Sequence, residues 1–152
     1  MRIEDIIKPT SPMPIEKRTL LNVMFTQHVI AEKFNEILKP FEISAEQFNV
    51  LRILRGQRGN PVNMFTIQER MIAKTSNTTR LVDKLLLKEF VNREICLENR
   101  RKMEITITSK GLELLTQLDP VVEAHEKTFT SNLSKNEIEL LNELLEKFRI
   151  KS

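Results

Sequence analysis

The stretch from Ser76 to Gly111 constrains this chain more than any other. It runs SNTTRLVDKLLLKE, then FVNREICL, then ENRRK, then MEITIT, then SKG. In the first piece Leu81, Val82, Leu85 and Leu86 recur at three- and four-residue spacing, which predicts a helix from Ser76 to about Lys88 with one apolar face. Val91, Arg93, Ile95 and Leu97 then alternate with polar residues, and so do Met103, Ile105 and Ile107, which predicts a hairpin with one buried face. The turn between the strands, Glu98–Lys102, is charged and lacks glycine. Thr108 or Ser109 then caps a new helix. Few folds accept a helix, a charged ribbon and a second helix in so short a span.

The residues before this stretch supply its partner. Ser44 and Gln47 form a capping box opening a helix with Phe48, Leu51, Ile53 and Leu54. It ends at a turn with Gly56, Gly59 and Pro61. Phe65 to Ile72 reads as a short helix with Ile67 and Met71 inward, and Ala73–Thr75 is a brief turn. Short helix, tight turn and longer helix make the helix-turn-helix pattern.

The ends are helical arms. Pro14 precedes a helical pattern reaching about Lys39, where Pro40 stops it. Its apolar residues form two rows, Leu20, Val23, Met24, Ile30, Ala31, Phe34 and Ile37, and Leu21, Phe25 and Val29. So wide a stripe fits either a helix deep in its own domain or one packed on its own domain and a partner. After Thr108, Leu112, Leu115, Leu118, Val122 and Phe129 continue a helix that Pro120 is expected to kink or break. Ser134 with Glu137 is a further capping box, followed by Ile138, Leu141, Leu145 and Phe148 on one face. With no sheet to cover, these arms bury their apolar faces most economically against a second copy, so both termini are expected to build a homodimer.

At 152 residues the chain is expected to be one domain, mainly α with a small β-hairpin wing. Residues 44–111 would form the winged helix-turn-helix lobe, and residues 14–40 and 108–150 the helical dimerisation region. From Val50 to Gly111 there are thirteen Lys or Arg against six acids, a surplus of seven positive charges; the remainder has eleven against fifteen. A basic middle between acidic ends suits a polyanion-binding centre with flanking arms, although a solvated charged surface gives the same count. No glycine-rich phosphate loop, nucleophile elbow or metal-ligand array is present, so no enzyme and no cofactor are expected. No run approaches a membrane span, the N-terminus does not read as a signal peptide, and the single cysteine, Cys96, suits a reducing cytoplasm.

On these segments the chain resembles the MarR family of transcriptional regulators over nearly its whole length. The resemblance is carried by QFNVLRILRG in the second helix, TTRLVDKL in the recognition helix and NRRKMEITITSKG in the wing, with Asn99, Arg100, Arg101, Ile107, Thr108 and Gly111 matching the wing motif. It implies a triangular dimer with interlocked first, fifth and sixth helices. It also implies binding to a near-palindromic operator on double-stranded DNA, usually as a repressor, often released by a small aromatic or phenolic effector or by oxidation. Two positions depart from the pattern. Asn99 stands where the wing aspartate pairs with an arginine, and Glu89 stands where glycine is common. If that site needs positive φ, Glu89 carries backbone strain.

Candidate DNA contacts are therefore Ser76, Asn77, Thr78, Thr79 and Arg80 at the start of the recognition helix. Arg80 suits bidentate guanine readout and Asn77 adenine, with the hydroxyls suited to phosphate; Ser76 is also a candidate N-cap. Arg100 and Arg101 at the wing tip suit the minor groove or phosphate, and Lys74, Lys84 and Lys102 general phosphate attraction. Asp83 reads as a brace to a lysine or arginine. Cys96 reads as a small structural cysteine. His28 and His125 read as surface or core residues, with a shared pocket or a metal as the weaker alternative. Gln27, His28 and Arg52 are candidates to line an effector cleft. The competing functional class is a winged-helix module whose basic wing binds an acidic protein partner.

Overall fold

The computed structural model describes residues 2–97 and 103–149. Its elements run α1 (Ile3–Ile7), α2 (Ile15–Leu38), α3 (Ala45–Arg55), β1 (Val62–Asn63), α4 (Met64–Arg70), α5 (Thr78–Leu87), β2 (Val91–Ile95), β3 (Met103–Ile107), α6 (Ser109–Thr130) and α7 (Lys135–Phe148). The chain is mainly helical with a small antiparallel sheet in the order β1-β3-β2.

The long helices start and stop where local chemistry dictates. Pro14 immediately precedes α2, and α2 gives way after Leu38 to a 3-10 turn, Lys39–Phe41, that holds Pro40. The Ser44–Gln47 capping box forms, with Gln47 N donating to Ser44 Oγ at 3.1 Å and Ser44 N donating to Gln47 Oε1 at 3.0 Å. Ser134 and Glu137 repeat it at the start of α7. Of the two candidates at the start of α6, Thr108 is the cap, its Oγ1 accepting from Gly111 N at 3.1 Å.

Several expectations are corrected. Pro120 does not break α6, which runs unbroken from Ser109 to Thr130. Proline forfeits one backbone bond, but buried Leu115 and Leu118 anchor the turns before it. Arg55 Nη1 also donates to both carboxylate oxygens of Asp119 at 2.9 Å, tying α6 to α3 just before the proline. The hairpin face is buried only at its base, by Val91 and Ile105, while Ile95 and Met103 lie in solvent. β1 and α1 have no counterpart in the sequence reading. β1 is two residues long, too short for a periodicity to register, and exists because β3 offers it an edge, with Val62 opposite Ile105.

One core joins these elements. Leu38, Val50, Leu51, Leu54, Ile67, Met71, Val82, Leu85, Val91, Ile105, Leu115 and Leu118 are its fully enclosed members. It fixes α3, α4, α5 and the wing base as one body. The arms are different: α2 buries only Leu38, and α7 buries none of its described side chains.

Candidate nucleic-acid interface

The recognition helix begins two residues later than its sequence suggests. Its N-cap is Asn77, not Ser76, and Asn77 Oδ1 accepts from Arg80 N at 3.0 Å. Bidentate adenine readout needs that oxygen, so capping engages half of the pair Asn77 would offer a base. Ser76 lies half-buried in the preceding turn, its N–H bonded to Ala73 O at 3.1 Å.

Thr78 is buried, and its hydroxyl donates to Gln68 Oε1 of α4. It therefore points inward, away from any groove, and its role is to lock the turn of the helix-turn-helix motif. Gln68 completes that lock by donating from Nε2 to Lys74 O at 2.6 Å. Lys74 Nζ in turn donates to Glu69 O. Asn49, buried in α3, accepts from Ile72 N at 3.0 Å and pins the same turn from below. Sequence reasoning missed Gln68 and Asn49. Asn63, which caps α4 by accepting from Thr66 N at 2.9 Å, was findable as an N-cap residue before a helical run.

The exposed residues of α5 are Thr79, Arg80, Lys84 and, at its C-terminal end, Leu87, with Val82 and Leu85 on the buried side. The inward face is held by packing, so the outward face is presented rigidly. Asp83 is the brace the sequence suggested: Arg93 Nη1 of β2 donates to its Oδ1 at 2.6 Å. This pair fixes the wing against the recognition helix.

The joint between them is built around Glu89, which adopts φ 62. Its N–H donates to Leu86 O at 2.9 Å, and Phe90 N donates to Leu85 O at 3.0 Å, so the chain leaves α5 through a left-handed residue. Lys110 Nζ meets the Glu89 carboxylate at 2.9 Å and, by hydrogen bond and charge, holds its pKa below the ordinary value. Thr108 Oγ1 donates to Glu89 O at 2.7 Å. The wing tip proposed from sequence, Asn99, Arg100, Arg101 and Lys102, lies outside the described residues.

The effector candidates do not converge on a cavity. Gln27, His28 and Arg52 are exposed and line neither described cleft. The larger cleft, about 520 Å³, lies between α2 and α6 and is lined by Ile37, Val121, His125 and Phe129 among others. His125 lies between Phe34 and Phe129 in a tilted and an edge-on contact, with centroids 5.3 and 5.1 Å away, whereas His28 only approaches Glu32 at 3.9 Å on the surface of α2. The two histidines thus sit in separate environments, and among the described residues no His, Cys, Asp or Glu cluster could hold a metal. Cys96 is a free, half-buried thiol beyond the end of β2. No helix among the described residues is long and apolar enough to cross a membrane.

Comparison with known proteins fits this geometry. Residues 43–103, from the start of α3 into the wing, match the MarR family model. The chain is 34% identical over 109 residues to the HTH-type transcriptional regulator YpoP of Bacillus subtilis, covering 72% of this chain and 74% of that one. The chain belongs to the MarR family. It is also 28% identical over 118 residues to the regulator MhqR of Bacillus subtilis, covering 78% of this chain and 80% of that one. A MarR transcription factor from Planctomyces limnophilus has the same fold, with a TM-score of 0.70 at 29% identity over 90% of this chain and 98% of that one. As a MarR-family member the protein is a DNA-binding winged-helix transcriptional regulator and not an enzyme.

Proposed function

We propose that this MarR-family protein is a cytoplasmic homodimeric repressor of a near-palindromic operator. Residues 44–111 serve as the DNA-binding lobe, and residues 14–40 and 108–150 as the dimerisation region. The observation that carries the reading is the presentation of α5: a packed inner face, a locked N-terminal turn, and Thr79, Arg80 and Lys84 outward. Arg80 is the base reader, bidentate to guanine in the major groove. Thr79 and Lys84 contact phosphate, and Asn77 assists through its free Nδ2 donor. Ser76 and Lys74 border the contact. Arg100, Arg101 and Lys102 form the wing's cationic end and reach the minor groove or its phosphates. Thr78 acts indirectly, by holding the turn.

The dimer reading is supported by the unpartnered apolar surface of the arms. Leu20 and Met24 of α2 and Leu140, Leu141 and Leu144 of α7 are all exposed in the single chain. Two copies would place two recognition helices about one DNA turn apart. A small aromatic effector fits the family better than any site here: the α2–α6 cleft, with its ring-lined wall, is a better candidate than Gln27, His28 and Arg52. The acidic-partner alternative gains nothing from these observations.

The test is selection of bound duplexes from random DNA by the purified protein at several salt concentrations. The expected outcome is an inverted repeat with half-sites about ten base pairs apart. Enrichment of no sequence, with binding erased by modest salt, would overturn the proposal.

A further inference from the structure

We propose that the underside of the wing makes an apolar contact to DNA, with Ile95, Leu97 and Met103 packing on the deoxyribose walls of the minor groove. The proposal rests on the reading above that α5 and the wing dock on duplex DNA. It adds a component that the positive charges do not supply.

The strand register defines the surface. Val91 pairs with Ile107, Arg93 with Ile105, and Ile95 with Met103. Alternate residues of a strand share a face, so these six side chains lie on one side of the ribbon. Val91 and Ile105 on that side are buried in the core, and Arg93 reaches Asp83 of α5. The face therefore looks toward the recognition helix. Ile95 and Met103 continue it beyond the buried base, at 57% and 39% exposure, and Leu97, just past the end of β2, is 98% exposed.

Charge selects the occupant. The five residues between Leu97 and Met103 carry Arg100, Arg101 and Lys102 against one acid, Glu98. A second copy docked on this patch would bring two such cationic ends together. A polyanion is attracted instead, and inward of its phosphates the groove presents sugar carbons. Apolar side chains carried on an arginine-rich ribbon suit that layered surface, because the cations meet phosphate and the methyl groups meet the deoxyribose behind it.

Contact with phosphate releases counterions and contact with sugar carbon does not, so salt separates the two. Leu97→Ser and Ile95→Thr would be titrated by fluorescence anisotropy against the selected duplex and an unrelated duplex of equal length, over a salt series. Leu97→Ser is expected to weaken both complexes by about 5- to 20-fold at every salt concentration, which corresponds to roughly 1–2 kcal/mol. The slope against log salt is expected to stay that of the parent protein. Leu97 touches little in the free protein, so its thermal unfolding should not move; Ile95→Thr keeps a β-branched residue in the strand and serves as the second variant. Unchanged affinity, or an altered slope, overturns the proposal. So does weaker binding that tracks a fall in molecular mass by light scattering, since that assigns the patch to a second copy. If the parent protein itself binds neither duplex, the functional reading fails instead.

Discussion

Two residues at the base of the wing show how differently the left-handed joint and the close approach beside it constrain the chain. Gly111 is buried where α6 passes the end of α5, and a Cβ there would lie 2.4 Å from Phe90 O and 2.8 Å from Ile107 Cγ1. The nearest atom is backbone and cannot swing away. Gly111→Ala is therefore expected to destabilise the protein by about 2 kcal/mol or more, read by urea unfolding. Glu89 is the reverse case, with positive φ and a side chain that only meets exposed Lys110. Because the exposed ion pair contributes little and glycine removes the left-handed strain, Glu89→Gly should raise the melting temperature, and Lys110→Gln should hardly move it. A melting temperature lowered by Glu89→Gly would mean that the Lys110 contact outweighs the strain.

At the scale of elements, the Asp83–Arg93 pair joins α5 to β2, and its partners are separated by the turn at Glu89. Its direct contribution to stability is small, below about 1 kcal/mol for a half-exposed pair, but it sets the angle between helix and wing. Arg93→Ala and Asp83→Ala are each expected to weaken operator binding several-fold while unfolding changes little. The double variant should be no worse than either single one; additive losses in a double-mutant cycle would show that the two residues act separately. The cap of α7 gives a pH prediction. Ser134 N and Oγ both donate to Glu137 Oε2, at 2.8 and 2.7 Å, and these bonds, the backbone one foremost, lower the Glu137 pKa below the ordinary 4.5. A depressed carboxylate contributes fully above its unfolded value, and its contribution is lost as pH falls through the folded value. Amide signals of the first turn of α7 should therefore broaden as pH drops below 4.5, and Glu137→Gln should remove that dependence.

For the whole molecule, the distribution of burial is the informative quantity. The wing base, α3, α4, α5 and the first half of α6 share an enclosed core, whereas α7 carries Leu140, Leu141, Leu144 and Phe148 into solvent. A contiguous exposed apolar face of this kind marks an association surface. Light scattering should report a dimer at micromolar concentration. Leu141→Glu with Leu144→Glu should convert it largely to monomer and weaken operator binding at least tenfold, because two half-sites are then engaged independently. A dimer that survives both charges would place the interface elsewhere.

The sequence by itself determined the elements whose signal is local: α2, α3, α5 and α6 through 3.6-residue periodicity, the capping boxes at Ser44 and Ser134, and the ribbon through alternation. It also pointed to Asp83 as a brace to a lysine or arginine rather than a base reader. Only the tertiary structure decided what depends on distant neighbours. Ser76, Asn77 and Thr78 are all small, polar and plausible as caps or contacts, and nothing local ranks them. Packing of α4 against α5 makes Asn77 the cap and turns Thr78 inward to Gln68. β1 exists only because β3 is there to pair with it, and Pro120 is tolerated because Arg55 and the core hold the turns of the helix that precede it. Alternation along β2 and β3 predicted a buried face; the helices packed on the hairpin base decided where that burial ends, leaving Ile95 and Met103 in the open. Short-range hydrogen bonding and periodicity are written in the chain, while burial is set by whichever element arrives from far away in sequence.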